Sequence, residues 1–84
     1  INIKKILILF GGNSHEHNIS CKSAKTIINN IDKSIFEITS VGIKDNNWYI
    51  FNGNLDLLTQ NTWFKGNIKK IDNIINFIND TIKV

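Results

Sequence analysis

Residues 3–12 read IKKILILFGG. Once Lys4 and Lys5 are passed, Ile6 to Phe10 is continuously apolar. A strand with one wet face alternates apolar and polar residues; an unbroken apolar run of this length fits a strand buried on both faces of a parallel sheet. The pair Gly11-Gly12 then stops it, because glycine supplies backbone angles that let the chain turn tightly. The next segment, NSHEHNIS at 13–20, puts two histidines, a glutamate and several cap-forming residues at a strand-to-helix junction.

Working outward, NISCKSAKTIINNI at 18–31 places Cys21, Ala24, Ile28 and Ile31 at spacings of three and four, with Ile27 alongside. That is an amphipathic helix with its lysines facing out and an early face of small residues that allows close packing on a sheet. FEITSVGI, from Phe36 to Ile43, reads as a second strand, and WYIF, from Trp48 to Phe51, as a third. The intervening KDNN suits a hairpin turn built on Asp45 and the two asparagines. LDLL at 55–58 is short enough for one helical turn, and Trp63-Phe64 is expected to pack on the core. The isoleucines at 68, 71, 75, 78 and 82 recur at three and four, so the spacing predicts one long helix covering a sheet face. The order strand, helix, strand, strand, helix implies an α/β fold with an open, mainly parallel sheet flanked by helices. Because Lys83-Val84 reads as the start of a further parallel strand, the chain is expected to be one domain, residues 1–84, cut short before its last strand.

The 84 residues are 42% hydrophobic and 20% charged, which suits a small folded domain and not a disordered one. The formal charge of +3 comes from ten lysines against seven acids, with no arginine. Without arginine's planar fork, and with its lysines scattered, the chain is not expected to bind nucleic acid. Its apolar runs are too short to span a bilayer, its start lacks a signal-peptide pattern, and one cysteine cannot make an internal disulfide. A cytoplasmic setting without membrane association is expected.

In an open α/β sheet, ligands bind at the carboxyl ends of the strands, where the first βα turn stands. Three chemistries compete for FGGNSHEHNIS, residues 10–20. A phosphate cradle would require the third glycine of a dinucleotide fingerprint or the Gly-Lys-Ser/Thr of a P-loop, and both are missing. A metal site could draw on His15, Glu16, His17 and Cys21; positions 17 and 21 share a helix face, but the spacing is not H-E-x-x-H, and Cys21 is also a natural small core residue. A carboxylate site needs only Glu16, beside the positive end of a helix, poised either to hold a substrate ammonium or simply to complement the dipole. The spacing weighs against the phosphate cradle and the metal site, and residue physics alone leaves Glu16 an ordinary helix-start glutamate.

The string LFGGNSHEHNISCKSA, Leu9 to Ala24, resembles the amino-terminal signature of D-alanine-D-alanine ligases, approximately L-F-G-G-x-S-x-E-H-E-V-S-x-x-S-A. Leu9, Phe10, Gly11, Gly12, Ser14, Glu16, His17, Ser20, Ser23 and Ala24 match. VGIKDNNWYIF at 41–51 is similar to the family's hairpin, and WFKG at 63–66 fits more loosely. The resemblance implies a Rossmann-like, pre-ATP-grasp domain. It further implies membership of an enzyme that joins two D-alanines through a D-alanyl phosphate for peptidoglycan synthesis. Carried over by position, Glu16 is the catalytic-site glutamate that binds the ammonium of the first D-alanine, and Ile19 lines the same subsite. Gly11 and Gly12 form the turn, while Ser14 and Ser20 hold motif positions suited to capping or turn hydrogen bonds. Asn18 replaces a second glutamate and is expected to cap the helix. ATP and magnesium (or manganese) are implied for the full-length enzyme, held by the remaining ATP-grasp domains, with homodimerisation as a family habit. This chain alone is expected to be inactive. A free-standing α/β binding or adaptor module is the alternative.

Overall fold

The computed structural model describes residues 3–12, 16–60 and 62–81. The first apolar run forms β1 (Lys4–Gly11), and the small-faced amphipathic segment forms α1 (His17–Asn30). Next come the hairpin strands β2 (Phe36–Lys44) and β3 (Asn47–Phe51), the single helical turn α2 (Asp56–Thr59) and a 3-10 turn at Trp63–Lys65. A three-residue strand, β4 (Ile68–Lys70), and a short helix, α3 (Ile74–Thr81), complete the described chain.

The sheet runs in the order β1-β2-β3-β4. β1 and β2 are parallel in register from Lys4 opposite Phe36 to Gly11 opposite Ile43. Their connection passes through α1, as a parallel crossover requires. The β2–β3 and β3–β4 pairings are antiparallel. The sheet is therefore mixed, not mainly parallel. The cause at β2–β3 is local: Asp45 and Asn46 sit at φ 51° and 66°, the left-handed angles of a two-residue hairpin turn, and so tight a turn can only reverse the chain. This is the hairpin the sequence places there.

The long terminal helix is the expectation that fails. Ile68 lies in β4, opposite Phe51, and the Ile71 amide donates to the Trp48 carbonyl at 2.8 Å. The helix begins only at Ile74, after Asn73, whose Oδ1 accepts from the Asn76 amide at 3.0 Å. An isoleucine recurring every three or four positions satisfies a helix period, but isoleucine is equally a strand residue, and a β3 edge was available to pair with it. Ile82 and the expected further strand at Lys83-Val84 lie outside the described residues.

Cys21, Ala24 and Ile28 on α1 are buried against Ile8 and Phe10 of β1, together with Phe51, Leu58 and Trp63. Ile27, placed alongside the stripe, is half exposed at 50%. Trp63 is fully buried, and four aromatic rings meet it edge-on: Phe10 at 5.0 Å between centroids, Phe64 at 5.8 Å, and Tyr49 and Phe51 at 6.3 Å. Such pairs add about 0.5–1.5 kcal/mol each beyond area burial. The indole can lie so close to the sheet because Gly42 has no side chain: a Cβ there would overlap the six-membered ring of Trp63. Lys25 Nζ reaches Asp56 Oδ1 at 2.9 Å and ties α1 to α2 at the surface. No helix among the described residues is long and apolar enough to cross a membrane.

Candidate functional site

The carboxyl ends of the parallel pair β1 and β2 come together at Gly11 and Ile43. Gly11 and Gly12 both take left-handed φ values, 90° and 102°. At Gly11 the requirement is double, since a Cβ would also strike the Ile43 carbonyl and stand 3.2 Å from His17 Cε1. Hydrogen bonds fix the turn on both sides. The Gly11 amide donates to Ser20 Oγ at 3.0 Å, the Gly12 amide donates to the Ile43 carbonyl at 2.7 Å, and His17 Nδ1 donates to the Gly12 carbonyl at 2.6 Å. The turn is thus tied to β2 on one side and to the first turns of α1 on the other.

Glu16 occupies the N-cap position of α1, and its carbonyl accepts from the Ser20 amide at 2.8 Å. Its side chain is exposed and makes no capping hydrogen bond. No acidic residue follows in the first turn of α1, so Glu16 is the acidic group at that helix end, where the backbone partial charge favours an anion. Ile19, three residues on and hence a neighbour on the helix surface, is 64% exposed. An exposed glutamate at the N-cap and an exposed isoleucine in the first turn of α1 therefore follow the Gly11-Gly12 turn. Asn18, expected as the cap, is instead the second residue of α1 and is exposed. The helix starts before it because the Glu16 carbonyl already accepts an intrahelical bond. Ser20 serves the turn and not the helix end. Ser14 and His15 lie outside the described residues.

The competing chemistries fare differently once the atoms are placed. Both glycine amides are already spent on Ser20 and Ile43, so the pair does not offer its N–H groups to a phosphate. His17 and Cys21 do share a face, but they converge on Trp63. The indole Nε1–H donates to His17 Nε2 at 3.2 Å, with the two ring planes within 21° of each other and their centroids 6.2 Å apart, and Cys21 is buried in the same core cluster as Trp63. Burial pushes the Cys21 thiol up from its ordinary value, and the Trp63 contact offsets part of that rise. Among the described residues, no group of three or more His, Cys, Asp or Glu side chains converges as metal ligands would. The described residues at this turn therefore fit neither ATP phosphates nor a divalent cation. The residue that sequence reasoning undervalued is Trp63, taken only as core packing; its polar edge organises the site from 46 positions away. The signal that could have found it is Gly42, a glycine inside a strand, which often marks close approach by another group.

Known proteins resemble this chain in sequence and in fold. The family described as D-ala D-ala ligase N-terminus matches residues 5–80. A D-alanine-D-alanine ligase of Thermoanaerobacter sp. (strain X514) is 48% identical over 69 residues, covering 81% of this chain and 19% of the relative. The vancomycin C-type resistance protein VanC1 of Enterococcus gallinarum is 41% identical over 64 residues, 75% of this chain and 19% of the relative. Among solved structures, the VanG D-Ala:D-Ser ligase from Enterococcus faecalis superposes with a TM-score of 0.77 at 36% identity, covering 82% of this chain and 21% of that one. The chain spans about a fifth of the length of the relatives it matches. With a family match over nearly its whole length, the chain belongs to the D-alanine-D-alanine ligase N-terminal family.

Proposed function

We propose that this chain is the amino-terminal, substrate-side domain of a D-alanine-D-alanine ligase and that it supplies the subsite for the first D-alanine. The observation that carries the reading is the exposed Glu16 at the N-cap of α1, held beside a hydrogen-bonded glycine turn at the carboxyl end of β1. The Glu16 carboxylate receives the substrate ammonium, a charge-assisted hydrogen bond worth about 1.5–3 kcal/mol. Ile19 lies against the small apolar side chain of the same amino acid. ATP and magnesium act through the ATP-grasp domains of the longer enzyme. The acyl phosphate forms there, and the role of these residues is to bind and orient its amino-acid end. On this reading the 84 residues alone have no ligase activity, and the full-length enzyme is cytoplasmic and dimeric.

The test is kinetic and uses the full-length ligase containing this chain. Glu16→Ala should raise KM for the first D-alanine by about 10- to 100-fold, the cost of one charge-assisted hydrogen bond, with the melting temperature held. Unchanged kinetics would return Glu16 to the role of a solvated residue that complements the helix dipole.

A further inference from the structure

We infer that His17 is a positioning residue for the Glu16 subsite: as its Nδ1–H tautomer it clamps the Gly11-Gly12 turn and the start of α1 to Trp63, and so fixes where Glu16 stands. The inference deepens the proposed function and rests on that reading for the role of Glu16. The tautomer is set by the partners. An indole N–H is a donor only, so the nitrogen facing it, Nε2 at 3.2 Å, must present its lone pair. The carbonyl of Gly12 is an acceptor only, so Nδ1, at 2.6 Å, must carry the proton. Reversing the tautomer would set two donors face to face at Trp63 and two acceptors face to face at Gly12.

The same ring lies over Gly11, with Cε1 in contact range of the position a Cβ would take, and its plane lies within 21° of the Trp63 ring plane. Three parts of the chain meet on one imidazole: the end of β1, the first residue of α1, and the 3-10 turn that carries Trp63. Trp63 is itself immobilised in the aromatic cluster above Gly42, so His17 is anchored to the core and not to another surface group. Glu16 precedes His17 directly. A binding carboxylate works only if held within about 0.5 Å of its productive place, and His17 is the link between that carboxylate's backbone and the rigid interior.

Two measurements on the full-length ligase test this. In enzyme labelled with 15N-histidine, the His17 resonances, assigned by their loss in His17→Asn, should show a protonated Nδ1 and a bare Nε2. The Trp63 indole proton should shift when His17 is replaced. A His17 found as the Nε2–H tautomer overturns the clamp. In kinetics, His17→Leu should raise KM for the first D-alanine about tenfold, equivalent to about 1.4 kcal/mol, while KM for ATP stays unchanged. His17→Asn, which keeps a donor near the Nδ1 position, should recover most of that loss. Equal rises for all substrates, or no recovery with asparagine, would reduce His17 to a packing residue. If His17→Leu does not fold, the tautomer and the asparagine variant decide. If Glu16→Ala is kinetically silent while the tautomer is as expected, the clamp stands and the reading of Glu16 falls.

Discussion

Adding one methyl group at Gly42 tests how the core holds this site. A Cβ at Gly42 would overlap Trp63 at Cη2 and Cζ3 and would stand 2.8 Å from Phe10 Cε1. The Gly42 backbone is not in the left-handed region, so alanine meets no dihedral strain and any cost is steric. Trp63 has nowhere to retreat, with four rings against it and its N–H committed to His17. Overpacking of this kind costs about 1–3 kcal/mol, against about 0.4–1 kcal/mol gained by stiffening the unfolded chain. The net expectation is a loss of about 1–2 kcal/mol, from a domain whose whole stability is roughly 4–13 kcal/mol by size. For a chain of this length that lowers Tm by on the order of 10 °C. Thermal and urea unfolding of the 84-residue chain, followed by circular dichroism, measures it. In a Trp63→Leu background the same substitution should cost less, since the overlapping indole is gone and only the Phe10 contact remains. A Gly42→Ala protein as stable as the parent would refute the packing of Trp63 on Gly42 and, with it, the rigidity ascribed to the indole.

The interior offers two further tests. Thr62 Oγ1 is buried without a hydrogen-bond partner among the described residues, so Thr62→Val, which keeps the shape and removes the hydroxyl, should raise stability by about 1 kcal/mol in urea unfolding; a loss would mean that the hydroxyl is satisfied. Cys21 has its thiol pKa raised by burial above the ordinary 9.0. The folded state then holds the proton more tightly than the unfolded one, so the associated stability is intact below about pH 9 and is lost as pH climbs through the folded value. Melting curves of Cys21→Ala should lack that alkaline component, and an identical alkaline slope in both proteins would rule it out.

Local pattern carried the parts of the fold that local physics controls. The apolar run and glycine pair define β1 and its turn, the small residues of α1 mark its buried face, and Asp45-Asn46 specify the hairpin. The terminal isoleucines misled because a three-residue strand has too little sequence to show its own period. Ile68–Lys70 is a strand because it pairs with β3, a partner about 20 positions away. Asparagine is the better cap in isolation, yet α1 begins two residues earlier, where the Glu16 carbonyl accepts from the Ser20 amide. The role proposed for Glu16 rests on the signature around it, since an isolated glutamate at a helix start is ordinary. The His17–Trp63 link had no local signal at all.

A crystal structure of the full-length ligase with D-alanine bound tests Glu16 most directly. The amino group of the first D-alanine should lie within about 2.7–3.2 Å of the Glu16 carboxylate, with Ile19 against its methyl group. An amino group held by other residues, with Glu16 turned to solvent, would mean that this turn does not form the first D-alanine subsite.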